Sequence, residues 1–258
     1  MSEGFNVEIG DGIAVLTINR PKANAIDAAT SVAMGEAFVD FEGNPEVRVV
    51  IVTGAGERFF SAGWDLGAAA KGEAFDSDYG AGGFGGFPDL PNRTVPVIAA
   101  VNGMAVGGGF EIVMAADMIV AADHATFFLP EAGLGILPDA GSVRLPRLLP
   151  PHIAREVLLA GRRLTAAEAA AYGLVNRVVH SADLMTATRK LAAAVVASAP
   201  LSIAAILDIE RRTATLDSID AMTAIKSFDS YRCAIDSQDA VEGNVSFTEK
   251  RPPIWKGR

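Results

Sequence analysis

The stretch from Pro96 to Glu131, PVIAAVNGMAVGGGFEIVMAADMIVAADHATFFLPE, decides the expected fold of this chain. An apolar run of strand length, residues 97–101, leads through a turn into three consecutive glycines at 107–109. Glu111 follows inside an apolar helix pattern, and Glu131 follows a second apolar strand. Glycines free backbone N–H groups for a ligand, and a helix start adds positive dipole character. The stretch therefore predicts a backbone anion site with two glutamates beside it, which suits a transient oxyanion.

Strand and helix patterns alternate along the chain around this stretch. Residues 7–9 and 14–19 flank Gly10-Asp11-Gly12, which predicts a hairpin. Residues 30–42 have the spacing of an amphipathic helix, and residues 48–53 (RVVIVT) are typical of a strand buried on both faces. Strands separated by helices imply right-handed crossovers, so we expect an α/β fold with a mostly parallel sheet.

The composition changes in the second half of the chain. After residue 150 the sequence becomes alanine-rich and helical, interrupted by LVNRVV at 174–179, which predicts a short strand. The length of 258 residues is enough for one large α/β domain with a helical appendage. We therefore expect a core of residues 1–200 and a helical C-terminal region of residues 201–258.

Charge and cysteine content narrow the partners and the compartment. The formal charge of −9, from 22 basic and 31 acidic residues, argues against nucleic acid or an anionic membrane as the main partner. A single cysteine, Cys233, allows no internal disulfide, and the three histidines share no ligand spacing, so no metal site is expected. The N-terminus lacks an apolar signal core, and no run reaches the roughly 18 apolar residues of a membrane span. These features predict a cytoplasmic protein.

The segment from Lys71 to Pro88, KGEAFDSDYGAGGFGGFP, is rich in glycine and poor in aliphatic residues. It is interpreted either as a mobile surface loop or as a lid over a ligand, with Phe84 and Phe87 on glycine hinges. Its glycines do not form a dinucleotide fingerprint, because no strand leads directly into them and no helix pattern follows. Both interpretations stay open at this point.

Four motifs together resemble the enoyl-CoA hydratase/isomerase, or crotonase, superfamily. They are NRPKANAID (19–27), IVTGAGERFFSAGWDL (51–66), PVIAAVNGMAVGGGFE (96–111) and PEAGLGILPDAG (130–141). Agreement continues to the C-terminal FTEKRPPIWKGR, so the resemblance covers essentially the whole chain. Within the superfamily, RPKANAIDAATS, SAGWDLGAAAKGEA and EKRPPIWKGR look closest to the carnitinyl-CoA dehydratase (crotonobetainyl-CoA hydratase) subfamily. The resemblance implies repeated ββα units in a spiral core, with C-terminal helices that build a trimer or a dimer of trimers.

The resemblance also implies roles for particular residues. A thioester carbonyl would bind between the backbone N–H groups of Trp64 and Gly108, which stabilise an enolate. Glu111 and Glu131 would divide the activation of water and the protonation of carbon. The competing interpretations are a surface glutamate at position 111, which its apolar neighbours disfavour, and a structural ion pair at position 131. Having both acids favours hydration or dehydration over isomerisation.

Asp139 is a third acid in the same region, and it is a reserve candidate for catalysis. Its place in LPDAG more strongly predicts an N-cap for a helix that begins near Gly141. The motif GSVRL at 141–145 looks one residue shorter than its counterpart in relatives, Gly-Gly-x-x-Arg-Leu. That difference leaves the start of this helix open.

A coenzyme A thioester is the implied substrate, and no separate cofactor is expected. The residues predicted to contact substrate or CoA are Lys22, Ala62, Asp65, Phe84, Phe87 and Lys250. Lys22 is equally well explained as plain surface, and Lys250 matches a position that reaches the nucleotide from a neighbouring subunit. A betaine acyl group would favour an aromatic cage of Trp64, Tyr79, Phe84 and Phe87, although the same rings suit a plain enoyl pocket. The alternatives are a short-chain enoyl-CoA hydratase or isomerase, and a non-catalytic CoA-thioester binding protein.

Overall fold

The computed structural model describes residues 4–257 and contains a large and a small β-sheet. The strands of the large sheet are β1 (Phe5–Gly10), β2 (Ile13–Ile18), β3 (Val49–Gly54), β5 (Val97–Val101), β7 (Met118–Ala122) and β10 (Arg177–Val179). They neighbour one another in this same order, and only the β1–β2 hairpin is antiparallel. The predicted hairpin, the buried strands at 48–53 and 97–101 and the mostly parallel sheet are confirmed.

The small sheet was not predicted from the sequence. Its strands are β4 (Phe59–Ser61), β6 (Met104–Val106), β8 (Thr126–Phe128) and β9 (Leu164–Thr165). Strands of two or three residues are too short for a periodic pattern to be recognised. From β3 to α4, each strand of the large sheet is followed by a strand of the small sheet and then by a helical segment. This repeated ββα unit is the spiral core that the resemblance implied.

Eleven α-helices surround the sheets in the part of the chain that the structure describes. They are α1 (Ala28–Gly43), α2 (Leu66–Ala69), α3 (Gly108–Ala115), α4 (Asp139–Leu148), α5 (Pro151–Ala160), α6 (Ala166–Ala171), α7 (Leu184–Val196), α8 (Pro200–Thr213), α9 (Ser218–Ala224), α10 (Asp229–Ile235) and α11 (Gln238–Glu249). Asp27 caps α1 by accepting a hydrogen bond from the Thr30 N–H. No single helix within residues 4–257 is long and apolar enough to cross a membrane. The pair at 181–196 and 200–213, bent by 100°, passes that test by length and composition only.

The C-terminal half of the segment from residue 71 to residue 88 packs against α1, although the segment contains no helix or strand. The Gly85 N–H donates to Ser31 Oγ at 3.1 Å, and a Cβ placed on Gly86 would lie 2.5 Å from the Gly35 nitrogen. Phe87 is only 2% exposed, and its ring centroid lies 4.8 Å from that of Phe38. The prediction that Phe87 lines the acyl pocket is therefore wrong, since this ring belongs to the hydrophobic core.

Candidate active site

A cavity of about 470 Å³ lies where the starts of α3 and α4 meet the β4–α2 connection and residues 75–89. Its volume is in the usual range for a small-molecule site. Six of the predicted site residues line it: Ala62, Trp64, Phe84, Gly108, Glu111 and Glu131. The fold thus brings together residues that are separated by up to 69 positions in the sequence.

Two backbone N–H groups beside the cavity have no hydrogen-bond partner among residues 4–257. Ile26 forms hydrogen bonds with both neighbours of Trp64: its N–H donates to the Gly63 carbonyl (2.8 Å), and its carbonyl accepts from the Asp65 N–H (2.9 Å). In this parallel pairing the Trp64 N–H points away from Ile26. Gly108 is the first residue of α3, where an N–H has no acceptor within the helix. A Cβ on Gly63 would lie 2.7 Å from the Gly108 nitrogen, so the two segments are in close contact. Both donors belong to the wall of one cavity.

Glu111 lies in the first turn of α3 and is only 8% exposed. Its Oε1 accepts a hydrogen bond of 2.6 Å from the Gly141 N–H at the start of α4. Burial raises the pKa of Glu111 to about 7. The Gly141 bond and Arg144 oppose the shift, while Asp139 and Glu131 add to it. A carboxyl group with this pKa is present in both protonation states near neutral pH, as proton transfer requires.

Glu131 begins a 3₁₀ turn at Glu131–Leu134 and is only 6% exposed. A Cβ on Gly107 would lie 2.5 Å from its Oε1, so glycine at that position leaves room for the carboxylate. Its Oε2 is buried and has no hydrogen-bond partner among the described residues. Burial raises the pKa of Glu131, and Asp139 adds to the effect. Neither glutamate forms an ion pair within residues 4–257, so the surface and salt-bridge interpretations do not apply.

Asp139 is not the N-cap that the sequence predicted. Pro138 occupies that position, α4 begins at Asp139 itself, and Asp139 Oδ1 accepts a hydrogen bond from the Ala140 N–H at 2.8 Å. The Gly141 N–H lies in the first turn of α4, where it has no acceptor within the helix, and it donates to Glu111 instead. A Cβ on Gly141 would be crowded, since it would lie 2.9 Å from Leu129 Cδ1 and 3.2 Å from Glu111 Oε1. Asp139 lines the cavity as a third acid.

Four of the residues predicted to contact substrate or CoA lie outside the cavity lining: Phe87, which is in the core, and Asp65, Lys22 and Lys250. Asp65 accepts from the Gly67 N–H as the N-cap of α2, and its Oδ2 is 2.9 Å from Arg20 Nη2. Lys22 and Lys250 are exposed, with left-handed backbone φ values of 74° and 57°. The positioning of Asp65 is explained by these structural contacts, and the contribution of Lys250 from a neighbouring subunit stays a prediction.

Phe75, which was not predicted from the sequence, lines the cavity together with Trp64, Tyr79 and Phe84. Its ring centroid is 5.5 Å from that of Trp64, in an edge-to-face arrangement. Arg144 also lines the cavity and donates to the Pro88 carbonyl at 2.7 Å. Exposure alternates from residue 73 to residue 79, with the odd-numbered residues half-buried and the even-numbered residues exposed. The only sequence signal for Phe75 was its place in KGEAFDSDYG, within the segment considered as a lid.

The chain is similar to proteins of known family in both sequence and structure. A profile of the enoyl-CoA hydratase/isomerase family matches residues 8–258. Carnitinyl-CoA dehydratases from Escherichia coli K12 and Salmonella enteritidis PT4 are each 54% identical over 261 residues, covering 100% of both chains. The crystal structure of an enoyl-CoA hydratase from Mycobacterium tuberculosis H37Rv superposes with a TM-score of 0.92 at 36% identity, covering 100% of both chains. An enoyl-CoA hydratase from Bacillus anthracis gives a TM-score of 0.88 at 31% identity, covering 99% of this chain and 100% of that one.

Proposed function

Because the chain belongs to the enoyl-CoA hydratase/isomerase family, we propose that it catalyses the reversible hydration and dehydration of a CoA thioester. The observation that carries the proposal is the pair of buried glutamates, Glu111 and Glu131, in one cavity with two unpaired backbone donors. The proposed substrates are carnitinyl-CoA and crotonobetainyl-CoA, and the full-length identity of 54% to carnitinyl-CoA dehydratases supports them. Coenzyme A is part of the substrate, so the reaction needs no separate cofactor.

In the proposed mechanism, the thioester oxygen accepts hydrogen bonds from the N–H groups of Trp64 and Gly108. When a proton leaves the carbon next to the thioester, negative charge moves onto this oxygen and an enolate forms. The N-terminus of α3 adds positive dipole character at Gly108. Because the donors belong to the main chain and are fixed before the reaction, they stabilise this charge without reorganising.

The two glutamates carry the proton transfers. In dehydration, one carboxylate takes the proton from the carbon next to the thioester, and the other carboxyl group protonates the hydroxyl that leaves the next carbon as water. Hydration is the reverse of these steps. The pKa of Glu111, about 7, suits a group that exchanges a proton in either direction near neutral pH. Asp139 raises the pKa of both glutamates and is the reserve acid.

A short-chain enoyl-CoA hydratase is the second candidate, favoured by the apolar rings of the cavity and by the similarity to solved enoyl-CoA hydratases. A protein that only binds CoA thioesters would not need two buried acids, because burying them costs free energy. The discriminating experiment compares kcat/KM for crotonobetainyl-CoA and crotonyl-CoA. We expect crotonobetainyl-CoA to be the better substrate, with no turnover by the Glu111→Gln/Glu131→Gln variant. Equal constants would favour the second candidate, and a folded protein without activity on either would contradict both.

We also propose that residues 201–258 form the subunit-contact region of a trimer or a dimer of trimers. Large apolar side chains are exposed on α8, α9 and α11 and in the C-terminal segment, among them Phe247 at 86%. Exposed apolar surface of this kind marks protein interaction sites. Sedimentation analysis would separate the two assemblies. Lys22 and Lys250 are proposed to meet the CoA nucleotide in that assembly, and the proposed location, the cytoplasm, agrees with the single cysteine, Cys233.

A further inference from the structure

Four aromatic rings form part of the cavity lining, and we call Trp64, Phe75, Tyr79 and Phe84 the aromatic wall. They form two edge-to-face pairs, Trp64 with Phe75 (5.5 Å, 82°) and Tyr79 with Phe84 (5.2 Å, 88°). The Tyr79 hydroxyl donates to the Phe75 carbonyl at 2.8 Å and so ties the two pairs together. The wall is therefore ordered by its own contacts.

The carboxylate of Glu73 contacts the indole N–H of Trp64. The Trp64 indole N–H donates to Glu73 Oε1 at 2.8 Å, and both oxygens of Glu73 accept from the Ala28 N–H at the start of α1, at 3.2 Å. A negative charge at the indole N–H increases the electron density of the ring, and an electron-rich ring face attracts a cation more strongly. The contact also fixes the orientation of the ring.

The charges around the aromatic wall are mostly negative. Besides the two glutamates, Asp78, Asp89 and Asp139 line the cavity. Among the described lining residues, Arg144 is the only lysine or arginine, and it is held by the Pro88 carbonyl at 2.7 Å and by Asp89 at 3.3 Å. Burial raises the pKa of Tyr79 to about 12, with further contributions from Glu73, Asp139 and Asp76. Aromatic faces in negative surroundings suit a desolvated cation.

The wall begins beside the proposed oxyanion donors. A Cβ on Gly108 would lie 2.5 Å from Phe84 Cε1, so this ring covers the residue whose N–H faces the thioester oxygen. Trp64 belongs to both parts of the cavity: its backbone N–H is a proposed oxyanion donor, and its ring is part of the aromatic wall. The aromatic wall and the two proposed donors therefore belong to neighbouring parts of one cavity.

We propose that Trp64, Phe75, Tyr79 and Phe84 form a subsite for a quaternary ammonium group on the acyl chain, with Glu73 as the positioning residue of the Trp64 ring. This inference deepens the proposed function and rests on it for the identity of the acyl group. It replaces Phe87 by Phe75 among the rings that the sequence suggested, because the structure places Phe87 in the core.

Binding is measured with ligands that the enzyme cannot turn over, so that the result does not depend on the proposed reaction. Calorimetry compares γ-butyrobetainyl-CoA, which has neither the double bond nor the hydroxyl, with its neutral isostere, in which carbon replaces the ammonium nitrogen. We expect the cationic ligand to bind a few-fold to about thirtyfold more tightly, as cation–π contacts allow. Equal affinities would overturn the subsite even if crotonobetainyl-CoA is hydrated. A clear preference without any turnover would contradict the proposed reaction alone.

Two matched variants test which rings cause the preference for the cationic ligand. Phe84→Leu keeps apolar area and loses a ring of the wall, whereas Phe87→Leu loses a ring of the core. The affinity ratio of the two ligands should fall towards one in Phe84→Leu and keep the wild-type value in Phe87→Leu, with folding checked by melting curves. Equal ratios in both variants would overturn the assignment. Tyr79→Leu provides the same comparison if Phe84→Leu does not fold.

The role of Glu73 has its own control. Glu73→Ala removes both the charge and the acceptor that orients the indole, and Asp76→Ala removes a charge from an exposed neighbour that does not line the cavity. We expect the affinity ratio to fall in Glu73→Ala and to change less in Asp76→Ala. Equal reductions would mean that long-range charge alone acts, and the positioning role would then be wrong.

Discussion

The reaction end of the cavity, formed by the N–H groups of Trp64 and Gly108 with Glu111 and Glu131, differs from the aromatic wall in the atoms that it presents. The reaction end offers two main-chain donors and two buried carboxylates, which lie at helix starts and in a turn next to the sheets. The wall offers mainly side-chain rings, three of them on a segment without helix or strand. Chemistry should therefore depend on few side chains, whereas the choice of acyl group should depend on several.

The largest effect is expected at the reaction end. Glu111→Gln and Glu131→Gln should each reduce kcat for hydration by about 10² to 10⁴, because general acid–base catalysis by one positioned group is of that size. Steady-state kinetics of both variants measure the loss, with melting curves to confirm folding. If either variant kept near-wild-type turnover, that glutamate would not carry a proton transfer, and the two-carboxylate mechanism would be wrong.

Removing a main-chain donor should come next. Gly108→Pro deletes the N–H at the first position of α3, which proline tolerates, and should lower kcat by about 10² to 10³. Gly108→Ala is the matched control, since it introduces the same Cβ contact with the Phe84 ring but keeps the N–H. Comparable losses in both variants would assign the effect to crowding of Phe84 and would weaken the distinction between donor and wall.

The burial of Glu111 predicts a pH-dependent cost in stability. Its folded pKa of about 7 lies above the ordinary 4.5, so its contribution is fully present below pH 4.5 and is lost as pH rises through 7. At about 1.4 kcal/mol per pKa unit, the loss is at most about 3.5 kcal/mol. In denaturant unfolding, the unfolding free energy of Glu111→Gln relative to that of the wild type should increase by up to this amount between pH 4.5 and pH 8.

Glu46→Gln, which neutralises an exposed glutamate, controls for the loss of one charge. Its unfolding free energy should follow that of the wild type across the same pH range. Parallel curves for the wild type and Glu111→Gln would mean that the reaction end is not a strained, buried acid pair, and the contrast with the aromatic wall would lose its energetic basis.

The smallest effect is expected at Gly141. A Cβ there would crowd Leu129 and Glu111 Oε1 and weaken the 2.6 Å hydrogen bond to that carboxylate. Gly141→Ala should lower kcat roughly fivefold, from a loss of about 1 kcal/mol, and should move the Glu111 pKa in the pH–rate profile upward. Gly133→Ala is the control, because no atom lies within 4 Å of its added Cβ. An unshifted profile in Gly141→Ala would show that this bond does not tune Glu111.

The elements that could be predicted are those whose information is local. Residues 97–101 and 48–53 form continuous apolar runs, and they are buried strands. The placement of Glu111 followed from the glycines and the apolar helix around it, and that of Glu131 from its motif. The strands of the small sheet, with two or three residues each, carry too little pattern to be recognised.

The errors arose where a distant residue decides the local structure. The Gly141 N–H in the first turn of α4 donates to Glu111, 30 positions away, and no pattern around Asp139 indicates that contact. Phe75 and Phe87 lie in one segment of unusual composition, and Phe87 is in the core because its part of the segment packs against α1, where its ring contacts Phe38. Similarly, Asp65 is engaged by Arg20 across 45 positions.

Neighbouring positions 63 and 64 differ in their freedom to change over generations. Gly63, at φ 78°, would place any Cβ 2.7 Å from the Gly108 nitrogen, so a substitution there disturbs both donors. In the proposed mechanism Trp64 gives the reaction only its N–H, which every residue except proline can supply. A lineage that carries this fold can therefore explore new acyl groups through single substitutions at position 64, without passing through an inactive ancestor.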